Sequence, residues 1–417
     1  MIIQEIIKSL LKFKKVNNIL ELRKIQNSIT NLIPNWNLKD LILKPIVQGG
    51  MGIGVSASRL AGHVAKEGAL GTISSVDLRH HHPDLLKESM IDLNKENIDR
   101  INLIVLDREI KKAITISEGN GGIAVNIMKA VTEYPSYVRQ SCISGADAIV
   151  MGAGLPFDLP DLTKDFPNVS LIPILSDSRG VNIILKKWIK KNRLPDAIII
   201  ESPRFAGGHL GAPNLSEVDD SRYDFPEVIA DIFDVFLKFG LQLKQIPLII
   251  AGGINTHLQV KKYINLGISA VQIGTPFAVT HECDAHLNFK EVLANATQNE
   301  IVTFMSVAGL PARAVLTPWL TSYFRHEKAL KSHAKADQRR CVPKLNCLKV
   351  CGLRDGISAF GQFCIDTRLT YALNGDVKKG LFFRGRESLP FGKDIRSVHE
   401  LINYYLTGVQ PDLQVLG

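Results

Sequence analysis

A histidine set among glycines, in the run AGGHLGAP (206–213), is the residue of this 417-residue chain best placed to move a proton. An imidazole can act as a general base near neutral pH with little tuning. The neighbouring glycines leave the ring of His209 open to whatever occupies the space beside it. The competing reading is a structural histidine bonded to a loop carbonyl.

Two further glycine runs have the chemistry of a phosphate site. AGGI (251–254) is followed eighteen residues later by QIGT (272–275). Glycines let backbone N–H groups approach a phosphate without interference from Cβ, and the Thr275 hydroxyl adds a donor. A third run, PIVQGGMG (45–52), offers a flat backbone surface on which a planar ring could lie, with the Met51 thioether packing against it. Ordinary strand-to-helix turns are the alternative for all three.

Other polar groups are less sharply defined. Four cysteines, Cys341, Cys347, Cys351 and Cys364, crowd near the C-terminus. Four thiolates can hold zinc or an iron–sulfur cluster. Their spacing matches neither paired CxxC nor the ferredoxin run, and buried inert thiols are the alternative. The run His80-His81-His82 suggests a metal, but adjacent histidines point in different directions, which favours a polar loop near the mouth of the site. Asp177 and Arg179 either face the pocket or cap a helix; Glu201 and Arg204 are further polar candidates.

The elements that must position these residues are read from the apolar pattern. Eight short runs lack polar alternation: 45–50, 69–74, 123–128, 148–153, 170–175, 197–202, 247–253 and 270–275. Parallel strands buried on both faces look like this. Helical stretches separate them, at 55–68, 134–145, 181–193 and 257–267 among others. Eight such units predict an α/β fold, a closed (β/α)8 TIM barrel. An open doubly wound sheet would place its phosphate loop after the first strand; here the glycine signals follow the seventh and eighth. The expected divisions are an N-terminal helical extension over 1–40, the barrel over 41–330 with an insertion at about 76–120, and a C-terminal helical and cysteine-containing subdomain over 331–417.

PIVQGGMG, AGGHLG, AGGI and VQIGT, in this order and spacing, resemble the nitronate monooxygenase (2-nitropropane dioxygenase) family over about residues 42–330. The resemblance implies a barrel that binds flavin mononucleotide (FMN), with His209 as the base. It implies that the FMN phosphate lies at Gly252, Gly253, Gly274 and Thr275, with Gln272 and Ile273 beside them. It sets Gly49, Gly50, Met51, Gly207 and Gly208 near the flavin ring, and Asn126 as a polar contact. Ser202 falls about where relatives often have a glutamine, and SSVD (74–77) replaces a more usual glycine- and asparagine-rich turn. The expected activity is oxidation of a small-molecule alkyl nitronate with O2. Two alternatives stay open: an NAD(P)H-dependent reductase of the enoyl-acyl-carrier-protein or quinone type, and a non-catalytic barrel subunit of a larger assembly. A homodimer is compatible with either enzyme reading.

The formal net charge is +9, but the basic residues are scattered and no nucleic-acid-binding signature accompanies them. A solvated surface is expected, with no nucleic-acid or membrane partner. Lysines interrupt the apolar residues of MIIQEIIKSLLKFKKVNNIL, so the N-terminus reads as an amphipathic helix rather than a signal peptide. The expected location is cytoplasmic.

Overall fold

All eight apolar runs form parallel strands of one closed barrel. In the computed structural model, which describes residues 33–411 apart from 243, 342–344 and 346, the barrel strands are β3 (Ile46–Gln48), β4 (Leu70–Ser74), β5 (Gly122–Met128), β6 (Ala148–Gly152), β7 (Ser170–Leu175), β8 (Ile198–Glu201), β10 (Leu248–Ala251) and β11 (Ala270–Ile273). Each pairs in parallel with its neighbour, and the ring closes where β11 meets β3. β4, β6, β10 and β11 are buried along their whole length. That is why their sequences are continuously apolar: helices cover the outside and side chains fill the inside. The open-sheet alternative is excluded by the closure.

The barrel is plugged where its strands begin. A hairpin of β1 (Trp36–Leu38) and β2 (Leu41–Leu43) sends Trp36, Leu38 and Leu43 into a core shared with Val47, Leu70, Ala124 and Ala148. Each such side chain removed from water contributes about 1.5–3 kcal/mol, so the plug matters to the whole barrel. The expected N-terminal helix falls largely on residues 1–32, outside the described residues. Within 33–40 the chain is not helical, because Trp36 and Leu38 alternate inward as a strand.

The insertion at 76–120 forms a short turn at Leu78–His81 and helices Pro83–Ile91 and Lys95–Ser117. After the barrel, β12 (Ile301–Met305) and β13 (Pro311–Val315) form an antiparallel sheet, and β13 also pairs with β9 (Gly208–His209). The strand β9 is the last two residues of the AGGH run. Beyond it, Phe304, Val307, Leu320, Tyr323, Phe363 and Leu381 build a second core. Trp319 stacks edge-on to Phe363 within it, their centroids 5.1 Å apart. Helices Ile365–Leu373 and Val398–Thr407 complete the tail. Among the described residues no helix is long and apolar enough to cross a membrane.

Candidate active site

The strand ends that carry the glycine runs converge on one cavity of about 590 Å³. Gly49, Gly50, Met51, Asn126, Gly207, Gly208, His209, Gly252, Gly253, Gln272, Ile273, Gly274 and Thr275 all line it. Ser202 does not. It is buried behind the wall, where its carbonyl accepts the Phe205 and Ala206 N–H groups and so turns the chain toward His209. The tail supplies the remaining wall through residues such as Leu348, Ile365, Leu369, Leu381, Phe383 and Arg384.

His209 is not held in a free loop. Its backbone is paired with Ala312 of β13. Its Nε2 lies 2.8 Å from Ser306 Oγ, and its ring packs edge-on to Phe383 with centroids 5.6 Å apart. Ser306 is itself fully buried and accepts the Ala308 N–H at 3.1 Å. The ring is therefore fixed in orientation whichever tautomer it adopts. Burial holds its pKa down to about 4, because a cation at this position loses its hydration. At neutral pH the imidazole is uncharged and able to take a proton.

Glu201, at the end of β8, also lines the cavity. Burial pushes its carboxyl up to about 7. Its neighbour Arg204 turns away and bonds Asp224 Oδ1 at 2.5 Å, which removes it from the list of cavity groups. Asp177 caps the following helix by accepting the Gly180 N–H at 2.9 Å, and Arg179 folds back onto it, although both touch the cavity rim.

The end of the cavity formed by the AGGI and QIGT loops has donors that an anion could use. No hydrogen bond among the described residues takes up the N–H groups of Gly253, Gly274 and Thr275. The Gln272 side-chain oxygen is buried without a partner, as expected of a group that meets a bound polar ligand. These features fit FMN. The glycines are required for a different reason than a flat phosphate surface. A Cβ on Gly253 would lie 2.9 Å from the Phe205 side chain, and one on Gly50 would lie 2.3 Å from Asn126 Cβ. A Cβ on Gly207 would lie 2.5 Å from the Arg384 backbone. Close packing of loop on loop therefore accounts for three of the glycines; Gly274, with only Met51 Sδ at 3.9 Å, keeps open space beside it.

The three histidines diverge. His80 Nε2 contacts Asp77 Oδ2 at 3.2 Å and Thr370 Oγ1 at 3.1 Å. His81 reaches Gly54 O at 2.8 Å, and His82 reaches Glu109 Oε1 at 2.8 Å. Burial works against ionisation of Asp77, but hydrogen bonds from His80 and Arg79 outweigh it and hold the carboxyl well below its ordinary range. Asp366, a tail residue at the cavity wall, is driven the opposite way by burial and by the Asp77 charge. This polar cluster ties the 76–82 segment to the tail helix.

The expectation of a metal or cluster at the cysteines gains no support from the structure. No group of three or more histidine, cysteine or acidic side chains among the described residues is arranged to hold a metal ion. Cys347 and Cys351 pack against the apolar core of the tail instead. Burial pushes the thiols of Cys347, Cys351 and Cys364 up, away from the thiolate form that binds metal.

The nitronate monooxygenase family model matches residues 35–407. A probable nitronate monooxygenase of Bacillus subtilis (strain 168) is 28% identical over 288 residues, covering 67% of this chain and 78% of the relative. Among solved structures, FabK from Thermotoga maritima superposes with a TM-score of 0.60 at 21% identity, covering 88% of this chain and 92% of the other. The nitroalkane oxidase from Streptomyces ansochromogenes superposes with a TM-score of 0.58 at 17% identity, covering 88% and 97%. These structural likenesses show the shared barrel.

Proposed function

The chain belongs to the nitronate monooxygenase family of FMN-dependent barrel oxidoreductases, and from that premise we propose that it oxidises alkyl nitronates with O2, using His209 as the base. The observation that carries the proposal is a half-buried imidazole, kept neutral by desolvation and fixed by Ser306, at the wall of the cavity where the glycine runs converge. Gly252, Gly253, Gly274 and Thr275 would hold the cofactor phosphate. Gln272, Asn126 and the Gly49–Met51 backbone would border the ring. When bound, FMN supplies the two-electron oxidation and passes the electrons to oxygen.

His209 takes the proton from the carbon that bears the nitro group. That step leaves the nitronate anion and an imidazolium. Desolvation disfavours a lone imidazolium, and the nitronate formed beside it supplies the counter-charge that offsets this. Phe383 and Ser306 keep the ring from turning during the transfer. The test is oxygen consumption by the purified yellow protein with a propyl nitronate. Turnover dependent on nitronate supports the proposal, and its absence with full flavin content refutes it.

One observation favours a second reading. Met128, Val131, Ile365, Leu369 and Leu381 give the cavity an apolar wall larger than a short nitroalkane needs. A reductase acting on an acyl thioester or a quinone would use such a wall. Anaerobic bleaching of the flavin by NADH or NADPH separates it from the oxidase reading.

A further inference from the structure

We infer that the tail segment 381–389 is part of the cofactor-phosphate site, with the guanidinium of Arg384 as counter-ion to the phosphomonoester dianion. The inference rests on the FMN reading above and adds a binding group that none of the barrel motifs contains.

The segment crosses the two phosphate loops and is fastened to both. The Gly385 N–H donates to Thr275 Oγ1 at 3.0 Å, which leaves the threonine proton free for a ligand. Asn255, the residue after AGGI, donates its amide to Ser388 O at 3.0 Å and lies 3.1 Å from Ser388 Oγ. Alongside, the Arg386 N–H donates to Phe205 O at 3.0 Å, and Gln298 Nε2 donates to Arg386 O at 2.7 Å. The barrel loop is shaped to accept this crossing, since any side chain at Gly207 would strike the Arg384–Gly385 peptide. Arg384, Gly385, Glu387 and Ser388 line the cavity together with Gly253, Gly274 and Thr275.

Arg384 is 3% exposed. Its Nε donates to Leu293 O at 2.8 Å, and Nη1 donates to Gly385 O at 2.9 Å and Glu387 O at 3.2 Å. No acceptor among the described residues takes Nη2, and no carboxylate among them pairs with the guanidinium; burial alone lowers its pKa. A buried cation without a counter-charge is costly. Arg79 meets the problem with the Asp77 carboxylate; Arg313, equally buried, also holds only carbonyls, those of Pro203 and Ala206, but does not line the cavity. Arg384 is left with carbonyls only, at the end of the cavity where unused N–H groups gather. A phosphomonoester there completes both: it accepts from the Nη2 protons that the carbonyls leave unused and supplies the missing counter-charge.

The test compares FMN with riboflavin, which lacks the phosphate, by quenching of flavin fluorescence on titration into apoprotein. Arg384→Gln keeps amide donors for the carbonyls and removes the charge. It is expected to weaken FMN at least tenfold while riboflavin binds as in wild type. Equal weakening of both ligands, or no change in either, overturns the inference. Should Arg384→Gln fail to fold, Glu387→Gln carries the test: removing a negative charge from the same segment is expected to tighten FMN several-fold relative to riboflavin. An unchanged ratio overturns it. If wild-type apoprotein binds neither flavin, it is the FMN reading that fails rather than the role of the tail.

Discussion

The pH profile of proton abstraction separates a desolvated neutral base from an ordinary surface imidazole. Burial holds His209 at a pKa of about 4, against an ordinary value near 6.5. A base must be unprotonated to act, so kcat/KM on a neutral nitroalkane should fall only as pH drops through the lower value. At pH 5.5 an ordinary imidazole is about one-tenth neutral, whereas one with a pKa of about 4 is nearly all neutral. The two cases therefore differ by roughly tenfold in rate at that pH. Glu201 lines the same cavity and is pushed up to about 7, so the profile is to be measured in Glu201→Gln as well as wild type. An acid limb near pH 4 in both proteins is the expected result, and His209→Asn should lack it. A limb centred between 6 and 7 that survives in Glu201→Gln refutes the assignment of a desolvated base.

Other outcomes follow from the same contacts. Ser306→Ala removes the hydrogen bond to His209, typically worth about 0.5–1.5 kcal/mol, so kcat should drop about 2- to 10-fold with flavin content unchanged. Gly253→Ala brings a Cβ to 2.9 Å from Phe205 at a φ of +78°; a loss of about 1–3 kcal/mol of stability in denaturant melts is expected, with flavin content tracking the folded fraction. Glu201→Gln should raise Tm at pH 8 and change it little at pH 4.5. The native carboxyl keeps its proton up to about 7, so the wild type loses stability as pH rises from the ordinary carboxylate range through that value.

The barrel was legible because parallel strands buried on both faces leave continuous apolar runs, and all eight became strands at the places where those runs lie. The glycine runs were legible as a set that meets at one cavity, but the reason for each glycine was not. What Gly207 and Gly253 avoid is Arg384 and Phe205, and a contact between residues 207 and 384 leaves no local signature. For the same reason Ser306, Phe383 and Arg384 went unseen beside His209 and Thr275. Ser306 is brought to His209 by the pairing of β13 with β9, and Phe383 and Arg384 reach the cavity through the crossing of the 381–389 segment. The signal that could have raised suspicion is FFRGRES (382–388), a glycine between two arginines in an otherwise apolar stretch. The role of the cysteines was not legible from their spacing; in the fold Cys347 and Cys351 pack against an apolar core.

The most direct test of the central claim is His209→Asn assayed on the neutral nitroalkane and on the preformed nitronate. The substitution should leave the flavin bound, since the expected phosphate donors lie on other loops. Loss of a general base typically costs about 10²–10⁴-fold, and that loss should fall on the neutral nitroalkane. Oxidation of the nitronate, which has already given up its proton, should suffer much less. Wild-type rates on both forms with flavin retained would contradict the account.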